Sequence, residues 1–196
     1  MNFEDIAKQA KNAGLEMAEL TTEVKNKALL KIADALEENK SQIFEANKTD
    51  LEQAKNSVSP SVFNRLKLDE NKMRDMIQGI RDVVKLEDPI GKTLLARQLD
   101  EGLNLYKVSC PIGVIGIIFE ARPDVIAQIS SLAIKSSNAV ILKGGKESIN
   151  TNKTILGIIN SVLDSIKEFP QNALSQVFTH DDVAQMLKCE DRKSVV

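Results

Sequence analysis

Apolar positions recur every three to four residues through the first part of the chain. Val24, Ala28, Ile32 and Leu36 stand four apart, with Leu29 and Ala33 beside them and charges opposite. That is one stripe of an amphipathic helix, and Thr21 or Thr22 can cap its start. A second helical stretch carries Ile43, Phe44, Ala46 and Leu51. Its Asn47 and Asp50 are weak helix formers, which admits a break there. After the turn-like Ser59-Pro60-Ser61 comes Val62–Leu66. Asp69 then opens a helix through Met73, Met76, Ile77, Ile80 and Val84, and Asp88-Pro89-Ile90-Gly91 ends it.

Near Leu94 the period changes. Leu103–Val108 alternates and predicts a strand, paired with Thr93–Leu99 through a turn at Asp100-Glu101-Gly102. Pro111–Phe119 is almost continuously apolar and predicts a strand buried on both faces, as in a parallel sheet. Val125–Ser136 predicts a helix with Ile126, Ile129 and Ala133 on one face, and Ala139–Leu142 a strand. Asn150–Lys167 predicts a helix with Ile155, Ile158, Ile159, Val162 and Ile166 inward, stopped by Pro170. Leu174–Phe178 follows as a third strand, then a short helix over Thr179–Leu187 with Thr179 as cap and Asp182 completing a capping box. Alternating strands and helices mean an α/β fold, a parallel Rossmann-like sheet with right-handed crossovers, behind a helical N-terminal region and a β-hairpin. The expected divisions are 1–92 helical, 93–110 hairpin and 111–188 βαβαβα, with a tail at 189–196.

Composition narrows the classes. A 196-residue chain that is 42% hydrophobic and 28% charged is globular. A formal net charge of -2 gives no basic excess for nucleic acid. No apolar run approaches the roughly 18–20 residues of a membrane span, and residues 1–20 lack a signal-peptide core. A cytoplasmic protein is expected. Cys110 and Cys189 form no CxxC pair and read as small buried thiols, with no metal site. His180 is the sole histidine, which argues against a Ser–His–Asp triad.

Ligands on parallel sheets bind at the carboxyl ends of strands. Two strand ends carry charge: Glu120-Ala121-Arg122-Pro123 and Lys143-Gly144-Gly145-Lys146. Gly144 and Gly145 allow positive φ and exposed amides, a concavity that suits an anion, with Lys143 and Lys146 beside it. The alternative is a tight turn with solvated lysines. Pro123 keeps Arg122 extended, which aims its planar fork over the sheet edge. The alternative there is an internal Glu120–Arg122 pair. The helix start at His180, Asp181 and Asp182 could face a pyrophosphate, though two acids favour ordinary capping.

Pro111–Asp124 (PIGVIGIIFEARPD) and Ser137–Glu147 (SNAVILKGGKE) resemble gamma-glutamyl phosphate reductases, also called glutamate-5-semialdehyde dehydrogenases. The Pro-x-Gly-Val-x-Gly and Asn-Ala-Val-x-Leu-Lys segments are shared across the aldehyde dehydrogenase superfamily, whereas Glu-Ala-Arg-Pro and Lys-Gly-Gly-Lys-Glu are specific to this branch. The resemblance implies NADPH-dependent reduction of L-glutamyl 5-phosphate to L-glutamate 5-semialdehyde and phosphate in proline biosynthesis, by way of a cysteine thioester. It implies that Lys143 contacts the adenosine ribose and that Lys146 suits a 2′-phosphate. The superfamily's oxyanion-stabilising Asn aligns near Arg122, which is expected here to hold a substrate phosphate or carboxylate instead, with Glu120 beside it. It further implies subunit contacts through the hairpin and a glutamate 5-kinase as pathway partner. The family's chains are about twice this length and keep their nucleophilic cysteine in the other half. Residues 189–196 depart from the family's continuation, so a truncation or frameshift near Leu187 is expected. The alternatives are a non-catalytic nucleotide-binding or oligomerising fragment, and another acyl-phosphate or acyl-thioester reductase of the superfamily.

Overall fold

A computed structural model describes residues 2–189 and 194–195. Five helices come first. Asn2 caps α1 (Phe3–Met17), its side chain accepting the Asp5 amide at 2.8 Å. Thr21 caps α2 (Thr22–Glu38) by accepting from the Val24 amide. The α2 stripe Ala28, Leu29, Ile32, Ala33 and Leu36 is buried, as its spacing requires. Ser59 caps the short α4 (Pro60–Leu66), and Asp69 caps α5 (Glu70–Lys85), which buries Met73, Met76, Ile77 and Ile80.

α3 (Lys40–Ala54) runs without the expected break. Asn47 and Asp50 lie on its buried face and bond other elements, so they do not compete for their own helix backbone. Asn47 Nδ2 donates to the Leu66 carbonyl at 2.9 Å, and its Oδ1 accepts the Leu68 amide at 3.0 Å. Asp50 accepts the Asn150 and Thr151 amides and both their side chains, at 2.6–3.1 Å.

The hairpin forms as its alternation requires. β1 (Thr93–Asp100) pairs antiparallel with β2 (Leu103–Val108), and Gly102 takes a positive φ of 76° in the turn. Every residue of both strands is exposed. The arm is fastened at its root. Gly91 donates to the Ser109 carbonyl and Ser109 to the Lys92 carbonyl, both at 2.9 Å. Just before the root, Asp88 accepts from Thr22 Oγ1 at 2.7 Å and pairs with the fully buried Lys25, which also reaches Ser137 Oγ at 3.1 Å. Burial pushes the Asp88 carboxyl up, but hydrogen bonds from Lys25, Thr22 and the Ile90 amide outweigh it and hold it below the usual carboxylate value. Nearby Lys135 donates to Asn26 Oδ1 and the Val84 carbonyl; burial lowers its pKa, with Lys25 adding and Asp88 opposing. Cys110, beside the root, is exposed and Cys189 is half-buried, so neither is the buried thiol expected.

The second sheet is parallel, in the order β5-β4-β3-β6, from β3 (Val114–Ile118), β4 (Ala139–Lys143), β5 (Leu174–Val177) and β6 (Ser194–Val195). The crossovers are α6 (Val125–Lys135) and α7 (Ile149–Asp164), and α8 (His180–Lys188) follows β5. β4 is buried throughout. α1 packs so closely that a Cβ on Gly14 would stand 3.7 Å from Ala139 Cβ. In β3, only Gly116 is buried, which corrects the expectation of a strand covered on both faces. β4 has full-length neighbours on both edges, whereas β3 has β4 on one side and two paired residues of β6 on the other. Apart from Cys189 and β6, the tail at 189–196 lies outside the described residues. Among the described residues no helix is long and apolar enough to cross a membrane, and no cluster of His, Cys, Asp and Glu could hold a metal.

Candidate functional site

Parallel pairing of Ile118 with Lys143 brings the ends of β3 and β4 level. The strands stay joined one residue further, where the Phe119 amide donates to the Lys143 carbonyl at 3.0 Å. The chain then turns sharply at Ala121, buried with φ 49°, so it does not leave the strand extended. The Ala121 amide donates to Glu147 Oε1 at 2.9 Å. Glu147 belongs to a 3₁₀ turn, Lys146–Ser148, that follows β4. One carboxylate thus ties the two charged strand ends together.

Glycine is needed after β4 for room rather than for handedness. Neither Gly144 nor Gly145 has positive φ, which corrects the expected conformation. A Cβ on Gly144 would collide with Asn152 Nδ2 and stand 3.3 Å from the Phe119 ring; one on Gly145 would press into the Glu147 carboxylate, 2.6 Å from its Cδ. A side chain at Gly145 would press on the carboxylate that accepts the Ala121 amide.

Lys143 is 7% exposed, and its ammonium makes no hydrogen bond or ion pair among the described residues. A stem buried beside a strand end with an unpaired ammonium is poised for an acceptor outside the chain. Lys146 is exposed and lines a cleft of about 260 Å³ with Asp50, Gln53, Ser57 and Glu147. The four donors gathered by Asp50 make it the cap of α7, because Ser148 at the N-cap position gives no side-chain bond.

Arg122 faces another way. It is exposed and pairs with Asp124 at 3.1 Å rather than with Glu120. It lines a separate cleft of about 580 Å³ with Arg65, Lys72, Asp75, Asp124 and Gln128. Glu120 is exposed and unpaired among the described residues. The sequence-expected residues therefore fall into two groups: Lys143, Gly144, Gly145 and Lys146 on one side, and Arg122 on the other, joined through Ala121 and Glu147. At α8, Asp182 accepts the Thr179 and Phe178 amides, and its own amide donates to Thr179 Oγ1. Those bonds, the Thr179 backbone bond foremost, hold the Asp182 carboxyl below its usual value. The capping box engages the first donors of that helix, as two acids at its start suggested. Neither cysteine lines the cleft of Lys146 or that of Arg122.

Sequence reasoning did not find Glu147, Asp50, Arg65 or Asp75. Glu147 was within reach, since an acid next to a Gly-Gly turn can accept a neighbouring loop amide. Asp50 bonds residues about one hundred positions away, and Arg65 and Asp75 share a cleft with residues dozens of positions on, which no local pattern records.

No family model matches the chain. It is 59% identical over 97% of its length to a gamma-glutamyl phosphate reductase of Brachyspira hyodysenteriae, and 48% identical over 97% to one of Ruminiclostridium cellulolyticum. These alignments take in 45% and 44% of the relatives, so the chain spans about half the length of the curated relatives it matches. Among solved structures, gamma-glutamyl phosphate reductases of Saccharomyces cerevisiae (44% identity, TM-score 0.88) and Thermotoga maritima (34%, TM-score 0.89) match over 92% and 96% of the chain, and over 47% and 45% of their own chains. A probable aldehyde dehydrogenase of Listeria monocytogenes, 15% identical with TM-score 0.72, shares the fold over 98% of the chain and 40% of its own. The chain is similar to the N-terminal half of gamma-glutamyl phosphate reductases and has the aldehyde dehydrogenase fold.

Proposed function

We infer that a chain so similar to the N-terminal half of gamma-glutamyl phosphate reductases serves the same reaction: NADPH-dependent reduction of L-glutamyl 5-phosphate to L-glutamate 5-semialdehyde and phosphate, in proline biosynthesis. The observation that carries the reading is Lys143, nearly buried at the end of the central strand with its ammonium unpaired among the described residues. A ribose hydroxyl is an acceptor such an ammonium can take. Lys146 supplies a cation in the adjoining cleft for a 2′-phosphate, which favours NADPH over NADH. Gly144 and Gly145 hold the turn close-packed so that both lysines keep their places. When bound, the nicotinamide supplies the hydride.

The substrate side falls to the other strand end, with Arg122 taking an anionic group of the substrate and Glu120 at its edge. The thiol that the reaction needs is not furnished around either cleft, so the reading gives these residues binding roles. The exposed apolar hairpin suits contacts with a second subunit, and a glutamate 5-kinase would supply the acyl phosphate, in the cytoplasm.

Titration of NADPH and NADH fluorescence with the 196-residue chain tests the assignment. Lys146→Ala should weaken NADPH at least ten-fold and leave NADH unchanged, from the roughly 1.5–3 kcal/mol of one charge-assisted phosphate contact. Equal effects on the two cofactors, or no binding of either, would overturn it.

A further inference from the structure

The cleft beside Arg122 is lined by charges of both signs from three elements. Arg65 comes from the last turn of α4, Lys72 and Asp75 from α5, and Arg122 and Asp124 from the loop between β3 and α6. Some of these charges are already engaged. Arg122 pairs with Asp124 at 3.1 Å, and Gln128 Nε2 donates to the same carboxylate oxygen at 2.9 Å. Lys72 donates to the Lys67 and Arg65 carbonyls, bracing the turn between α4 and α5.

Arg65 and Asp75 differ from their neighbours. Both side chains are exposed, and neither makes a hydrogen bond or ion pair among the described residues, not even with the other. Two opposite charges that share one cleft without meeting are each free for a ligand. A volume of about 580 Å³ lies within the range of small-molecule sites.

We propose that this cleft is a binding site for a zwitterionic α-amino-acid head group, with Arg65 taking the carboxylate and Asp75 the ammonium, and the Arg122 end left for the distal group. A simple dianion fits less well at the Arg65 end, because Asp75 would repel it. A guanidinium offers two parallel donors to a carboxylate, and a carboxylate accepts from an ammonium, so one α-amino acid satisfies both free groups at once. The proposal rests on the reading of the substrate as an activated glutamate and locates the part of it that the chemistry leaves untouched.

The test uses the 196-residue chain with L-glutamate as probe, followed by calorimetry and by shifts of the amide NMR signals of α4, α5 and the β3–α6 loop. L-glutamate should bind and move those signals. Glutarate, which lacks the ammonium, and 4-aminobutyrate, which lacks the α-carboxylate, should each bind at least ten-fold more weakly. Arg65→Ala should cost L-glutamate at least ten-fold, Arg65→Lys less, and Asp75→Asn at least five-fold, with thermal unfolding and NADPH affinity unchanged. Glutarate matching L-glutamate, variants binding like the parent, or no L-glutamate binding by a chain that binds NADPH would overturn the proposal and leave the cofactor reading intact. Loss of NADPH binding alone, with the glutamate pattern kept, would overturn the reading and leave the site.

Discussion

Leu142 in β4 is fully buried, whereas Leu105 in β2 is 48% exposed, although both sit in strands rich in leucine and β-branched residues. The difference lies in what surrounds each strand. β4 has a paired strand on both edges and α1 and α6 packed on it. β1 and β2 have only each other, and Leu94, Leu95, Leu99, Leu103 and Tyr106 all stand in solvent with Leu105. Side-chain pattern makes a strand; burial is a property of neighbours. An isolated two-stranded ribbon is at best marginal in water.

Three substitutions sharpen that contrast. The largest effect belongs at the junction of arm and body. Asp88→Ala leaves the Lys25 ammonium buried without its counter-charge, and urea unfolding should show a loss of about 3–5 kcal/mol. The sign of its pH dependence follows from the depressed carboxyl pKa. The unfolded chain binds more protons than the folded one between the two values. The stabilisation is thus complete above the ordinary Asp value near ~4 and is lost as pH falls through the folded value. Asp88→Ala should flatten that part of the acid limb; an unaltered acid limb would show that the contact does not carry it. Next comes Leu142→Ala, expected to cost about 2–5 kcal/mol in the same assay. Smallest is Leu105→Ala, within about 0.5 kcal/mol for the isolated chain. A cost for Leu105→Ala that rises with protein concentration would show a second copy covering the arm.

The sequence was most legible where the determinants are local. The α2 stripe, the hairpin with its Gly102 turn, the Thr179 capping box and the strand ending in Lys143 all depend on residues within a few positions of each other. It was least legible where a polar side chain serves a distant element. Asn47 and Asp50 look like helix breakers until α7 and the Leu66–Leu68 linker supply donors for them. Gly144 and Gly145 suggest backbone handedness when read in sequence, whereas the crowding by Asn152 and Glu147 that needs glycine there is three-dimensional. Strand ends alone mark Lys146 and Arg122, yet only the packed loops show that these two line different clefts.

The bonds from Asp50 to the start of α7 reach across about one hundred residues of chain. A helix that borrows its cap from so far away cannot finish forming until the donor helix has docked. α3 and α7 are therefore expected to appear together, late, after the local α2 and α5 turns, because closing a long loop is slow. The order of assembly would be written in a single carboxylate, and hydrogen exchange during refolding would show the Asn150 and Thr151 amides gaining protection in step with α3.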